Sequence, residues 1–469
     1  MEKSIIKRVL SSILSGMLIL LFGVLPGLTV SAADHWPSGI EVGSNSAIVM
    51  EADTGTVLFE KNADEIHYPA SITKLLTGLI AVENSQPDEI VTFSKEAVAE
   101  SYGGTSSIAR DVGEKMTMEQ CLYGMMLESA NECAYAIGEH VGGDMDHFIT
   151  MMNTRAAQLG CTNTHFTNPN GLPDEEHVTT ARDMALIGRA VINNKQLARI
   201  VGTKTYVIPP TNKHEDETFL NNHHCMLNFY HTSRYLYDGC LGGKTGYTVA
   251  ANNTLVTFAK RNGMTLICCV MQADRPYHYV DTVNLFDYCF DNFQTLDISE
   301  NEALFTNQKD KSIGSLAKNM NMSTVKATGT VVLPKTADFS DTEYEISPAD
   351  EADGGIIADL TYTYGDRKVG GGYLIYEPNE LTVYPFHSEA EAVGTEKVFR
   401  VDIKLILIIA GVALLIIILV TLIVKKTADF AVERPRRKRD DSRPLIEQPT
   451  APPTKRKTRT IYRRRRKRR

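Results

Sequence analysis

Residues 69–83 read PASITKLLTGLIAVE, and this stretch decides how the chain is interpreted. Apolar residues recur with helical spacing from Ser71 to Glu83, which predicts a helix. Residues three apart share one helix face, so the Ser71 hydroxyl and the Lys74 amine can meet. A serine needs a neighbouring base to act as a nucleophile, and burial or nearby positive charge makes lysine such a base by lowering its pKa. The pattern is weak by itself, because it also occurs at Ser4/Lys7, Ser315/Lys318 and Ser323/Lys326.

A serine and an asparagine stand two residues apart in Ser129-Ala130-Asn131. They follow a predicted helix that begins with a capping box at Thr117 and Gln120 and runs through Leu127. At a helix end both side chains can point into a cleft, where the serine relays a proton and the asparagine binds a substrate carbonyl. Simple helix capping is the alternative, because both residue types are favoured at helix ends.

The third motif, Lys244-Thr245-Gly246, lies in a glycine-rich segment and occurs once in the chain. On a strand beside a cleft, Lys244 and Thr245 would offer a cation and a hydroxyl to a substrate carboxylate. Gly246 would let the substrate approach the backbone closely. A glycine-rich turn without a binding role is the alternative.

Strand and helix patterns alternate from Ile48 to about Phe290. Hairpins are predicted around Asp53-Thr54-Gly55 and around Arg261-Asn262-Gly263, with helical patterns between them and after the second. Strands at both ends with helices between indicate an α+β domain with an antiparallel sheet. Short β-type runs punctuated by glycines predict a small all-β domain after it.

Together and in this order, the three motifs resemble those of the serine-type D-alanyl-D-alanine carboxypeptidases, the low-molecular-mass penicillin-binding proteins of peptidase S11 type. The resemblance covers roughly residues 40–290, and other segments that carry it are Gly113-Glu114, Met125–Ala134, Asn168–Leu172 and Thr179–Ile187. It implies a transpeptidase domain of the penicillin-binding-protein and β-lactamase type, followed by a small all-β domain. It also implies removal of the terminal D-alanine from peptidoglycan pentapeptides in cell-wall biogenesis, without a cofactor or metal, and inhibition by β-lactams.

The resemblance also implies a role for each matched residue. Ser71 is the nucleophile that forms an acyl-enzyme, Lys74 is its general base, and Ser129 relays protons. The backbone N–H groups of Ser71 and Tyr247 form the oxyanion hole. The expected substrate-binding residues are Asn131, Lys244, Thr245, Gly246 and Tyr247.

Two other functions compete with this one. Class A β-lactamases share the motifs and add a glutamate that activates the deacylating water. We expect no such glutamate here, because Asp174, Glu175 and Glu176 lie in a predicted turn where solvated charge is their expected role. A non-catalytic cell-wall-binding scaffold is the other alternative, suggested by the β-rich domain and a basic tail.

Charge divides the 469 residues into three regions. The net charge of −8 combines +2 in residues 1–33, −24 in residues 34–424 and +14 in residues 425–469. Two apolar stretches separate these regions, Ile13–Val30 and Leu405–Val424. The first follows basic residues and ends in small ones, as a signal peptide does, with an uncleaved anchor as the alternative. The second is long enough, at ~30 Å, to cross a bilayer.

These segments predict a single-pass protein of the bacterial cell membrane, with the catalytic domain outside and the basic tail in the cytoplasm. The tail is expected to contact anionic lipid, and no aromatic platform or folded motif supports nucleic-acid binding. The sequence does not indicate an oligomeric state. The predicted segments are a signal peptide at 1–33, the catalytic domain at 34–291, the β-rich domain at 292–391, a linker at 392–402, a transmembrane helix at 403–424 and a disordered tail at 425–469.

Eight cysteines occur, and buried free thiols are favoured over disulfides because the exported domain is large enough to be stable without cross-links. His223-His224-Cys225 lacks a second ligand pair at the spacing that a metal site requires. Asn222–Leu227, which contains it, carries His and Cys where the family more often has Asn and Arg. The full transmembrane span also departs from the family, which commonly ends in an amphipathic surface helix.

Overall fold

A computed structural model describes residues 36–230, 232–301, 323–349 and 355–378. Its strands are β1 (Ser46–Glu51), β2 (Val57–Lys61), β3 (Ile90–Thr92), β4 (Lys115–Thr117), β5 (Thr205–Ile208), β6 (Thr218–Asn221), β7 (Cys240–Thr248), β8 (Asn252–Arg261), β9 (Met264–Ala273), β10 (Phe293–Asp297), β11 (Ser323–Pro334), β12 (Glu343–Pro348), β13 (Ile356–Tyr364) and β14 (Arg367–Pro378). Its α-helices are α1 (Lys74–Asn84), α2 (Lys95–Ala99), α3 (Met118–Leu127), α4 (Asn131–Gly142), α5 (Met145–Gln158), α6 (Ala181–Asn193), α7 (Lys195–Val201), α8 (Tyr277–Asn292) and α9 (Ile298–Asn301).

The first sheet is antiparallel, with strand order β2-β1-β9-β8-β7. Both predicted hairpins are confirmed, as β1–β2 and β8–β9. Neighbouring side chains of a strand point to opposite faces, and Cys269 accordingly belongs to a core with residues of α1–α7, while Cys268 belongs to a core with residues of α8. Helices therefore cover both faces of the sheet, and the predicted α+β fold with an antiparallel sheet is confirmed.

The start of α1 differs from the sequence prediction. Residues Ala70–Thr73 form a 3-10 turn, and the α-helix begins only at Lys74. Helical spacing alone does not distinguish a tight first turn from an α-helix, since both bring residues i and i+3 together. The predicted capping box of α3 is confirmed, with Thr117 and Gln120 exchanging both hydrogen bonds.

A second antiparallel sheet follows α8, with strand order β10-β11-β14-β13-β12. The chain enters it directly, because α8 ends at Asn292 and β10 begins at Phe293. Its core contains Val331, Leu360 and Tyr362. Trp36 lies where the two sheets approach each other, packing on Phe293 and donating from Nε1 to the Leu58 carbonyl at 3.1 Å.

All eight cysteines are free thiols, six of them buried, while Cys161 and Cys240 are partly exposed. The predicted signal peptide, linker, membrane-spanning helix and basic tail lie outside the described residues. Across the described part of the chain, every helix is too short or too polar to span a bilayer.

Candidate active site

A cleft of about 1160 Å³ opens beside the edge strand β7. The structure brings all three sequence motifs to it, although they lie up to 173 positions apart in the chain. The motif residues that line the cleft are Ser71, Ser129, Asn131, Thr245, Gly246 and Tyr247. Lys74 and Lys244 are buried behind its wall.

Ser71 occupies a strained turn that neighbouring elements hold in place. Ala70, just before it, has a φ of +52°, which a residue with a side chain seldom adopts. Thr254 of β8 donates to the Pro69 carbonyl at 2.8 Å. A Cβ on Gly246 would lie 2.9 Å from the Ser71 nitrogen, so glycine is required for β7 to pack against this turn. The serine therefore presents its hydroxyl from a fixed backbone.

Lys74 has three oxygen neighbours. Its Nζ lies 3.0 Å from Ser71 Oγ, 2.7 Å from Asn131 Oδ1 and 2.5 Å from the carbonyl oxygen of Asn170. An amide oxygen and a backbone carbonyl can only accept hydrogen bonds, so they hold two N–H groups of the amine. The remaining position of the nitrogen faces Ser71. It holds an N–H in the ammonium form and a lone pair in the neutral form.

Burial and electrostatics both favour the neutral amine. Lys74 is completely buried, and this desolvation, together with the positive charge of Lys244, holds its pKa well below the usual lysine range. Glu132, Cys133 and Glu100 oppose the shift. Lys74 also begins α1, where the positive end of the helix dipole disfavours a cation. The lone pair that accepts the Ser71 proton is therefore available without an external base.

The Ser129–Asn131 motif joins α3 to α4. Neither residue caps a helix through its side chain: Glu128 is the C-cap of α3, and Ala130 is the N-cap of α4, without a capping hydrogen bond. The capping alternative is therefore wrong. Asn131 directs its Oδ1 to Lys74, which leaves its Nδ2 for the cleft. Ser129 has a φ of +61°, and its buried Oγ has no hydrogen-bond partner among the described residues.

Lys244 is a second buried cation. It is 1% exposed, and burial lowers its pKa to about 7, although the charge of Glu128 opposes that shift. Its Nζ donates to the Thr245 carbonyl at 3.0 Å. Glu128 itself accepts from His223 Nε2 at 2.7 Å, while His224 contacts Thr257 at 3.0 Å. The two histidines thus have separate protein partners.

Residue patterns predict no catalytic or binding role for Thr167–His177, which we call the strap. Its Asn170 carbonyl accepts from Lys74, and its Pro169 carbonyl accepts from Thr77 at 2.6 Å. Gly171 has a φ of +85°, and a Cβ there would collide with the Ala70 carbonyl. Backbone oxygens make these contacts, so residue types carry little signal for them. Within the strap, the Asn168–Leu172 segment is marked in the sequence only by the family resemblance.

The site and the fold together define a class of enzyme. A serine hydroxyl faces a buried lysine across 3.0 Å, and a second serine, an amide and a second lysine surround the same cleft. This arrangement at the edge of an antiparallel sheet is that of the serine acyl-transfer enzymes with Ser-x-x-Lys, Ser-x-Asn and Lys-Thr-Gly motifs.

Comparison with known proteins specifies the family. A sequence model described as D-alanyl-D-alanine carboxypeptidase matches residues 30–275, more than half of the chain. The D-alanyl-D-alanine carboxypeptidase DacF of Bacillus subtilis is 32% identical over 294 residues, which cover 62% of this chain and 72% of that protein. DacB2 of Mycobacterium tuberculosis is 32% identical over 249 residues, 52% of this chain and 81% of that protein. The chain belongs to the D-alanyl-D-alanine carboxypeptidase family.

Solved structures share the fold. The D-alanyl-D-alanine carboxypeptidase of Mycobacterium tuberculosis H37Rv aligns with a TM-score of 0.50 at 30% identity, covering 55% of this chain and 94% of that one. Penicillin-binding protein 5 of Haemophilus influenzae aligns with a TM-score of 0.57 at 23% identity, covering 73% of this chain and all of that one. The protein is thus a D-alanyl-D-alanine carboxypeptidase, a serine hydrolase of cell-wall metabolism.

Proposed function

We propose that the protein removes the terminal D-alanine from peptidoglycan stem peptides through an acyl-enzyme on Ser71. The contact between Lys74 Nζ and Ser71 Oγ at 3.0 Å carries this assignment. Ser71 lines the cleft and Lys74 has no other acidic proton to accept among its hydrogen-bond partners. Lys74 is therefore the general base for the hydroxyl of Ser71.

In acylation, Lys74 takes the Ser71 proton as Oγ attacks the carbonyl carbon between the two D-alanines. The Oγ–C bond forms, and the carbonyl oxygen takes the negative charge. The proposed oxyanion hole for that oxygen consists of the backbone N–H groups of Ser71 and Tyr247, and the close packing of Gly246 against the Ser71 backbone supports it. Breaking the C–N bond then releases D-alanine, whose nitrogen must receive a proton.

Ser129 is the proposed relay for that proton. Its Oγ lies in the cleft wall and has no competing partner among the described residues, so it is free to accept from Lys74 and donate to the departing amine. A hydroxyl serves as donor and acceptor at once. Water then enters where D-alanine left, and the same groups act in reverse to hydrolyse the ester.

Three contacts are proposed to orient the substrate. The Nδ2 of Asn131 donates to an amide carbonyl of the stem peptide, since its Oδ1 is held by Lys74. The Thr245 hydroxyl donates to the terminal carboxylate, and the charge of buried Lys244 strengthens that contact. The flanking Gly246 and Tyr247 form the floor under the scissile bond, with the Tyr247 side chain 64% exposed at the rim.

The lining of the cleft favours a carboxypeptidase over a β-lactamase. Carboxylate side chains are absent from the lining formed by the described residues. Asp174, Glu175 and Glu176 are exposed outside it. Glu217–Asn221 matches the Glu-x-x-Leu-Asn pattern in which β-lactamases carry their glutamate, but Glu217 is exposed beside β6, away from the cleft. β-lactams are therefore expected to leave a long-lived adduct on Ser71.

The membrane anchoring and orientation of the protein are also proposals. Family members work in the cell envelope, and the predicted signal peptide and the apolar stretch Leu405–Val424 would place the cleft outside a bacterial cell membrane. The basic residues after 424 would keep the C-terminus in the cytoplasm, in contact with anionic lipid.

One experiment tests the assignment. Peptide mapping by mass spectrometry after benzylpenicillin treatment should find the adduct on the peptide that contains Ser71. D-alanine should be released from a peptide ending in D-Ala-D-Ala, and Ser71→Ala should abolish both events without lowering the thermal unfolding temperature by more than a few degrees. Persistent D-alanine release by Ser71→Ala would refute the assignment.

A further inference from the structure

The threonine between Ser71 and Lys74 is used in an unusual way. Thr73 is the last residue of the 3-10 turn and directly precedes α1; its backbone is helical (φ −45°, ψ −38°), whereas a capping threonine has an extended backbone. Here it makes no capping hydrogen bond. Its Oγ1 instead lies 2.9 Å from Nε2 of His177, at the end of the strap. The hydroxyl therefore bonds to a residue 104 positions along the chain and not to the start of its own helix.

The surroundings of His177 determine which ring nitrogen carries the proton. The imidazole is buried, and its Nδ1 accepts from the backbone N–H of Thr167 at 3.0 Å. A ring nitrogen that accepts cannot carry the proton of a neutral imidazole, so Nε2 carries it and donates to Thr73. Phe166 packs against the ring edge at 5.3 Å. Burial lowers the pKa of His177 to about 4, so this donor stays in place at neutral pH.

The Thr73 contact belongs to a set of restraints on a turn that is strained. Ala70 holds a left-handed φ, and such conformations persist only where the surrounding structure enforces them. Three polar side chains at the start of α1, those of Thr73, Lys74 and Thr77, all form hydrogen bonds to the strap. The first of them is nearest to Ser71 and is the one that ends on a side chain rather than on a backbone oxygen.

We propose that His177 is a positioning residue for acylation, which acts through Thr73 to hold the turn that presents Ser71 Oγ to Lys74. The proposal rests on the proposed role of Ser71. It assigns His177 no contact with substrate, since the side chain is buried and does not line the cleft. Without this restraint both residues are still present, but the turn can shift the Ser71 hydroxyl out of line with the Lys74 amine. Small misplacements of reacting groups slow a reaction strongly.

Four variants of the full-length protein isolate the restraint. Thr73→Val keeps the shape of the side chain and removes the hydroxyl, while Thr73→Ser keeps the hydroxyl. His177→Gln can still donate to Thr73 from its amide, while His177→Leu cannot. The measurement is the rate constant and the final amplitude of labelling by a fluorescent penicillin at saturating concentration. The rate constant reports the reactivity of folded sites, and the amplitude reports how many sites are folded.

We expect Thr73→Val and His177→Leu each to lower the labelling rate constant about tenfold, with at least partial retention by Thr73→Ser and His177→Gln. The double variant Thr73→Val/His177→Leu should be no slower than either single variant, because both remove the same hydrogen bond. Rate constants equal to wild type in Thr73→Val, with only the amplitude or the unfolding temperature reduced, would show a purely structural role. Failure of the wild-type protein to label at Ser71 would instead overturn the proposed function, and this proposal with it.

Discussion

Two helices of the same domain are each preceded by a threonine, but the two threonine hydroxyls bond to different partners. At the start of α3, the Thr117 hydroxyl accepts from the backbone of Gln120 at 3.2 Å, and Glu119 places a negative charge near the positive end of the helix dipole. At the start of α1, Thr73 makes no capping hydrogen bond, and the first helical residue is the cation Lys74. A strained residue, Ala70, precedes it.

The difference shows where the molecule follows local rules and where it departs from them. At the α3 start, the capping groups of Thr117 and Gln120 find their partners within three residues. The α1 start depends on distant groups: the strap, β8 and the motif at Asn131 all bond to it or to the residues beside it. The lysine amine has a lone pair for the serine hydroxyl because it is buried and lies near the charge of Lys244, both of which depend on the fold around the α1 start.

The largest effect should come from breaking the packing of the strap on the α1 start. Gly171→Ala would force a Cβ into the Ala70 carbonyl at a backbone conformation with φ of +85°. We expect the penicillin labelling rate to fall about a hundredfold, because the turn beside Ser71 must shift. Gly263→Ala is the control, since Gly263 also has a positive φ (+87°) but has no atom within 4 Å of an added Cβ. An equal loss of labelling in both variants would contradict this account.

The charge of Lys244, which lowers the pKa of Lys74 at the α1 start, also predicts a pH effect on activity. Lys244 must be charged to attract the substrate carboxylate, and its pKa is lowered to about 7 by burial. Its charge is therefore present below that pH and lost above it, so kcat/KM should fall about tenfold for each pH unit on the alkaline side. In Lys244→Arg the guanidinium keeps its charge, so this alkaline limb should disappear while the acid limb, which we assign to Lys74, remains. An unchanged alkaline limb would show that it belongs to another group.

Thr117→Ala tests the α3 start. Loss of the capping box should lower the free energy of unfolding by about 1 kcal/mol, a typical value for removal of an N-cap side chain. In a domain of this size the unfolding temperature should fall by about 2–4 °C. Labelling of Ser71 should keep its wild-type rate constant, unlike in Thr73→Val. A slower rate in Thr117→Ala would mean that the two helix starts are coupled.

Glu119→Gln should have the smallest effect. It removes a charge that is favourable at the N-terminus of α3 and breaks the ion pair with Arg199 at the surface. Such contributions are typically about 0.3–1 kcal/mol and weaken in salt. Thermal unfolding at low and high ionic strength should therefore show a small difference from wild type that shrinks as salt is added. A difference that grows with salt would contradict the dipole explanation.

The sequence predicted those parts of the site that residue types encode. Ser71, Asn131 and Lys244 are predicted because each belongs to a short motif, and the α3 start is predicted because a capping box is local. The 3-10 turn at Ala70–Thr73 was missed, since a helical period continues through it. The strap was missed because Lys74 and Thr77 bond to its backbone carbonyls, which every residue has.

His177 shows a second reason for a miss. A single histidine between Asn168–Leu172 and Thr179–Ile187 forms no recognisable motif by itself, and only the fold brings its partner Thr73 near it. No residue pattern marks Thr73 as this partner, because the helical pattern predicted from Ser71 onward places the threonine inside the first turn.

The central claim is that Lys74 serves as a base because its surroundings favour the neutral amine. Nuclear magnetic resonance of protein labelled with ¹⁵N at lysine Nζ measures this directly, with Lys74→Gln to assign the signal and a pH titration of the resting enzyme. We expect Lys74 to lose its proton at a pH well below that of exposed lysines, because it is completely buried and lies near the charge of Lys244. A Lys74 signal that titrates together with the exposed lysines would contradict it.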